Sequence, residues 1–170
     1  MNYADIRKFD TTNGTGISST LFVSGCNFKC HNCFNKEAQN FNYGNEFTKD
    51  VEDKFIEYCK NEHVNHISIL GGEPFQQDLD IMLSLVKRIK KETSKPICIW
   101  SGFKWEELMI DCGKKEILKY VTVLTDGRFV QKLKDLNLNF KGSSNQKSIN
   151  VQRSLKENKI ILWEWGDDYS

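Results

Sequence analysis

The chain has 170 residues, enough for one compact domain that hides about 70% of its unfolded surface without disulfide staples. Its 24 basic residues balance 23 acidic ones for a net charge of +1, so the electrostatic footprint of a nucleic-acid or anionic-membrane binder is missing. The first eight residues hold no apolar signal core and no apolar run approaches a membrane span, so a cytoplasmic protein with neither membrane nor nucleic acid as partner is expected.

In chain order, the first β-rich apolar run is residues 20–24, and three cysteines, Cys26, Cys30 and Cys33, follow it directly. Thr48 can cap a helix running to about residue 62, with Val51, Phe55, Ile56 and Tyr58 on its apolar stripe. A second strand at residues 66–70 runs into Gly71, Gly72, Glu73 and Pro74. Asp78 can open the next helix, whose stripe is Leu79, Met82, Leu83, Val86 and Ile89, and whose last turns crowd Lys87, Arg88, Lys90 and Lys91 as a solvated end. Further strands are expected at residues 96–100 and 120–124, which makes the alternation one of βαβ units, with ligands at the carboxyl ends of the strands. Beyond residue 139 the pattern changes. Residues 148–152 and 160–163 are expected to pair as a terminal hairpin, and the aromatic, acidic end 163–170 is a frayed tail or a partner contact, the former favoured by the usual disorder of termini.

Six cysteines without a signal peptide argue for thiols and metal ligation. Cys59, Cys98 and Cys112 are scattered and read as small core hydrophobes. Cys26, Cys30 and Cys33 also share one face of a helix, but Gly25, Asn27, Asn32 and Asn35 are poor helix formers and oppose a helical core stripe. Zinc held by the three thiolates and His31 is a second possibility, awkward because His31 lies between two ligands. A four-iron cluster explains three thiolates better, since it normally takes four and would here keep one open iron for the amino and carboxylate groups of a small molecule.

CxxxCxxC followed by Phe34, with the Gly71-Gly72-Glu73-Pro74 turn one βα unit later, resembles the radical S-adenosylmethionine superfamily. Segments 13–16, 21–26, 34–36, 47–48, 100–104, 125–130 and 142–146 extend the likeness to nearly the whole chain, within the glycyl-radical activating enzymes that serve anaerobic ribonucleotide reductases. This chain departs from that pattern at Ser18, where an arginine is common, and at Glu73 and Arg128, where aspartate and lysine are frequent. The resemblance implies a single α/β domain over residues 1–170, a small incomplete (β/α)6 partial barrel open on one side, with the terminal hairpin added. It implies a 4Fe–4S cluster on Cys26, Cys30 and Cys33 that cleaves S-adenosylmethionine reductively. Asn32, Cys33, Phe34, Gly71, Gly72 and Glu73 would bind that cofactor, with Ser101, Asp126 and Arg128 as further candidates. The implied partners are the large anaerobic ribonucleotide reductase, whose backbone glycine becomes a radical, and an external electron donor such as flavodoxin. An activase of another glycyl-radical enzyme, such as pyruvate formate-lyase, and a non-catalytic iron–sulfur or zinc module are the alternatives.

Overall fold

The structure is a computed structural model that describes residues 1–166 and 169. One seven-stranded sheet organises it: β1 (Asn2–Asp10), β2 (Ser18–Ser24), β3 (Asn45–Glu46), β4 (His66–Gly71), β5 (Ile97–Trp100), β6 (Val123–Asp126) and β7 (Lys147–Asn150). Their order across the sheet is β3-β1-β2-β4-β5-β6-β7. The four central strands β2, β4, β5 and β6 are parallel, whereas β1, β3 and β7 pair antiparallel at the flanks, and the sheet does not close.

Helices α1 (Lys49–Cys59), α2 (Leu79–Thr93), α3 (Trp105–Met109), α4 (Cys112–Leu118) and α5 (Val151–Glu157) complete the fold. α1 and α2 begin where their caps place them: Thr48 Oγ1 accepts from Val51 N, and the Asp78 carboxylate accepts from Asp80 N and Ile81 N. Their apolar stripes bury Phe55, Ile56, Met82, Leu85 and Val86 against Leu21, Val23, Ile67, Ile69, Ile97 and Ile99 of the parallel strands, which forms the aliphatic core. Arg88 pairs with Glu52, Asp53 and Glu92, so it clamps α2 to α1. No helix among the described residues is long and apolar enough to cross a membrane.

Several elements differ from the sequence expectation, among them the unforeseen two-residue β3. β1 was not anticipated, because its core-facing Tyr3 and Ile6 are three apart. A register shift between Tyr3 and Asp5 lets Tyr3 oppose Val23 while Ile6 opposes Leu21, and that bulge erases the period of two. β6 starts at Val123 instead of residue 120, since Tyr120 N and Val121 N still bond to Ile117 O and Leu118 O of the turn that ends α4.

The terminal hairpin keeps its pairing of residues 148–150 with 161–163, but a helix takes the place of the expected strand end and turn. Asn150 ends β7 and caps α5 by accepting from Arg153 N at 3.1 Å, so Val151 and Gln152 turn helical, and Asn158 closes that helix at φ 51°. The chain then returns antiparallel to β7, with Ile149 opposite Leu162, Asn150 N donating to Ile161 O and Trp163 N donating to Ser148 O, both at 2.8 Å. Asn150→Ala should remove about 1 kcal/mol and lower the melting temperature by roughly 2 to 4 °C. A continued strand there would leave the midpoint unmoved in a thermal unfolding scan.

Candidate functional site

The cysteine loop leaves β2 at Gly25, whose φ of 111° suits glycine and where a Cβ would run into the Phe41 ring. Gly25 N donates to Ala38 O at 2.7 Å and Cys26 N to Gln39 O at 3.0 Å, so the loop's start and return are zipped together. Gly25 O accepts from Glu73 N at 2.8 Å and from the Gln77 side-chain amide at 3.1 Å. Asn27 N donates to Gln76 Oε1 at 2.6 Å. The turn after β4 therefore holds the base of the loop through backbone groups and two glutamines.

Gly71 and Gly72 make that junction possible. A Cβ on Gly72 would lie 2.5 Å from Gly25 O and 2.8 Å from both Gly25 N and Ala38 O, and one on Gly71 would press on the Val23 backbone. These glycines permit a close approach between the strand end and the cysteine loop, in addition to the ligand approach expected from sequence.

The three cysteines are half-buried with free thiols. Burial pushes the Cys26 thiol up to about 11, with Glu73, Cys30 and Cys33 adding repulsion. Cys30 is raised by burial and by Cys33, against the pull of the Arg128 guanidinium. The nearby backbone at Phe28 lowers Cys26 and that at Phe129 lowers Cys30, without cancelling the rise. Three adjacent thiolates are thus costly until cationic metal joins them. Among the described residues no three His, Cys, Asp or Glu side chains converge on a point for one ion, and His31 is exposed. Soft thiolates spread round a loop suit a cluster in which each binds its own iron, and this donor set fits that group better than tetrahedral zinc.

Phe28, midway along the loop, anchors its crown. The ring packs on Gly102, where a Cβ would come within 2.5 Å, and stands edge-on to Phe103 at 4.8 Å with the Arg128 guanidinium 4.3 Å above it. Gln76, Gln77 and Phe28 were missed from sequence; the glutamine pair directly after the GGEP turn was the available signal.

The other expected ligand-binding residues divide into two groups. Asn32, Phe34 and Arg128 are exposed, Phe34 to 99%, and Asn32 sits at φ 56°. Glu73, Ser101 and Asp126 are turned inward. Glu73 accepts from Ser101 Oγ at 2.8 Å, Phe75 N at 3.0 Å and Gly102 N at 2.6 Å, so its carboxylate braces β4 against the end of β5. Burial nonetheless pushes it up to about 7. Asp126 accepts from Trp105 N at 2.7 Å and from Lys147 N at 3.2 Å, joining α3, β6 and β7, and burial raises it too. Beside the loop lies a half-open groove of about 780 Å³ floored by Phe22 and Leu70 and walled by Phe34, Asn35, Arg7 and Asn13, the size of a small-molecule site.

A family model described as a 4Fe-4S single cluster domain matches residues 12–149. An anaerobic ribonucleoside-triphosphate reductase-activating protein of Escherichia coli (strain K12) is 41% identical over 150 residues, which cover 86% of this chain and 96% of that protein. The proteins with that name from Vibrio cholerae and Enterobacteria phage T4 are 37% and 33% identical, again over 86% of this chain and over 96% and 92% of their own lengths.

Two outcomes test the geometry. Gly72→Ala should cost about 2 kcal/mol or more and lower the melting temperature of the metal-free protein by roughly 4 to 8 °C, because only backbone lies in the way of the new methyl; an unchanged midpoint would return this glycine to a role in ligand approach. For Glu73, a folded value of about 7 against an ordinary 4.5 means that the folded state binds more protons between those pH values, so stability falls as pH rises through the window. Denaturant titrations of the metal-free chain should show wild type losing ground to Glu73→Gln by up to about 3 kcal/mol from pH 4.5 to 7, and a pH-independent gap would contradict the assignment.

Proposed function

The chain belongs to the 4Fe-4S single cluster domain family and to the anaerobic ribonucleoside-triphosphate reductase-activating proteins, and from that membership we propose that it activates such a reductase by radical S-adenosylmethionine chemistry. The observation that carries the reading is a three-thiol loop, tied by its own backbone to the GGEP turn and opening beside a groove of about 780 Å³.

Cys26, Cys30 and Cys33 would hold the cluster, leaving one iron without a protein ligand. When bound, it supplies one low-potential electron, and reductive cleavage of S-adenosylmethionine then gives methionine and a 5'-deoxyadenosyl radical that takes a hydrogen atom from a glycine Cα of the partner. The chain's own residues set the conditions. The backbone at Phe28 and Phe129 favours thiolate at two of the sulfurs, Arg128 puts positive charge beside Cys30, and the Phe28 and Phe103 rings dry the inner side of the loop. The groove walled by Phe34 and Asn35, with Gly71 at its edge, is the place for the cofactor's small-molecule part. We read the open sheet as a reduced form of the radical-S-adenosylmethionine partial barrel, in which the partner supplies the missing wall. The electron donor in this reading is an external protein such as flavodoxin.

Anaerobically reconstituted protein given reductant and S-adenosylmethionine should form 5'-deoxyadenosine, and electron paramagnetic resonance after mixing with the reductase should show a glycyl-radical doublet on the partner. Alanine at Cys26, Cys30 or Cys33 should abolish cluster absorbance and both products, whereas Cys112→Ala, at an exposed thiol on α4, should keep all three. A loaded cluster that forms no 5'-deoxyadenosine would make the chain an electron-transfer module instead.

A further inference from the structure

The sheet has two unlike faces. Alternate residues of the parallel strands put aliphatic side chains under the helices, while the opposite face carries Thr20, His66, Ser68, Cys98 and Trp100, with Ser148 of β7. Near the cysteine loop the same face, through Phe22 and Leu70, is the floor of the groove. Farther off it is covered by the chain's own end, residues 161–165 together with Tyr169, where a frayed tail was expected.

That segment behaves as a bound peptide. Trp163 N donates to Ser148 O at 2.8 Å, and beyond it odd and even residues alternate inward and outward, Trp163 and Trp165 half-buried and Leu162 and Glu164 exposed. Trp165 Nε1 donates to Ser148 Oγ at 2.8 Å while its ring stacks on Trp100 at 6.0 Å. The Tyr169 ring lies against His66 at 4.7 Å and Trp163 at 5.7 Å, and its hydroxyl donates to Thr15 O at 3.2 Å and meets the Cys98 thiol.

The groove and the segment meet at one loop, residues 13–15. Asn13 lines the groove, and its carbonyl accepts from Ser68 Oγ and bonds to Nε2 of His66, the ring that carries Tyr169. The loop that carries Asn13 lies between the groove and the strip over His66, Cys98 and Trp100, and lifting the segment would uncover that strip as a trench across the sheet beside the groove. The present occupant shows that an extended peptide with alternate side chains facing inward fits there. The family match ends at residue 149, before this segment begins.

We propose that this trench is the docking surface for an extended segment of the protein partner, and that Trp163, Trp165 and Tyr169 hold its place until the partner displaces them. The inference rests on the proposed function, which supplies a protein partner. A few hydrogen bonds and half-buried rings are weak enough to exchange for intermolecular ones, and weakening the hold of this internal occupant raises the apparent affinity for the partner.

The test measures hydrogen exchange in the segment around Trp163, and binding by calorimetry, with the cluster-loaded chain and the reductase. Protection of that segment should disappear in the complex, and the double variant Trp165→Ala, Tyr169→Ala should bind about ten-fold tighter at unchanged iron content, since the occupant no longer competes. A complex in which the segment stays protected, or a variant that binds more weakly, overturns the docking surface and leaves the activation reading standing. If neither protein binds the reductase, both readings fail. A dimer of the isolated chain that dissociates in the double variant would make the trench a site for a second copy and overturn the proposal.

Discussion

The fold and the site depend on one junction, where the turn after β4 lies flat against the first residue of the cysteine loop. Gly25 uses its N–H toward Ala38 and its carbonyl toward Glu73 and Gln77, and Gly72 sits so close that no side chain fits between the two segments. This contact turns a polar loop with two non-glycine residues at positive φ, Lys29 and Asn32, into a fixed part of the scaffold. A loop holding a reactive centre normally owes its position to the strands beneath it. Here the second strand reaches over and grips the loop exiting the first.

The same junction explains why a carboxylate is buried at the top of the sheet. Glu73 follows the two glycines, and while its backbone N–H serves Gly25 its side chain turns inward toward Ser101 and Gly102. Three donors compensate the lost hydration without cancelling it, which is why burial still raises the acid. What is gained is alignment. The ends of β4 and β5 are locked together, and Gly102, against which Phe28 packs, is held by the same carboxylate.

Much of this was legible in the chain. The capped helices α1 and α2 announce themselves through Thr48 and Asp78 followed by apolar stripes, and the parallel strands through runs of Ile, Leu and Val, because propensity, pattern and burial agree there. The cysteines and the GGEP turn were found by spacing. What escaped was whatever depends on tertiary context. A bulge disguised β1, Asn150 made a helix of residues with strand propensity, and the inward turn of Glu73 and Asp126 depends on donors 21 to 29 residues distant, as with Trp105 N for Asp126 and Ser101 Oγ and Gly102 N for Glu73. Cys112 read as a buried thiol but lies exposed at the first turn of α4, since no stripe in so short a helix fixes which face it shows.

The asymmetry of the sheet bears on how so short a chain can combine a stable core with an accessible face. An aliphatic face packed under α1 and α2 supplies the stability, with Arg88 fastening the two helices together. The other face is thereby released from that duty and can carry hydroxyls, an imidazole and a thiol, with hydrogen bonds to the backbone of the loop after β1, as those of Ser68 Oγ and His66 Nε2 are to Asn13 O. A face of that kind gains little from burial in aliphatic core, so its cover can be exchanged at low cost. The terminal segment meets this requirement with flat aromatic rings and few hydrogen bonds, shielding the polar strip without committing the sheet to a closed barrel. Stability and access are thus assigned to opposite sides of the same strands, and the cysteine loop, rooted at the strand ends, lies at the edge between them.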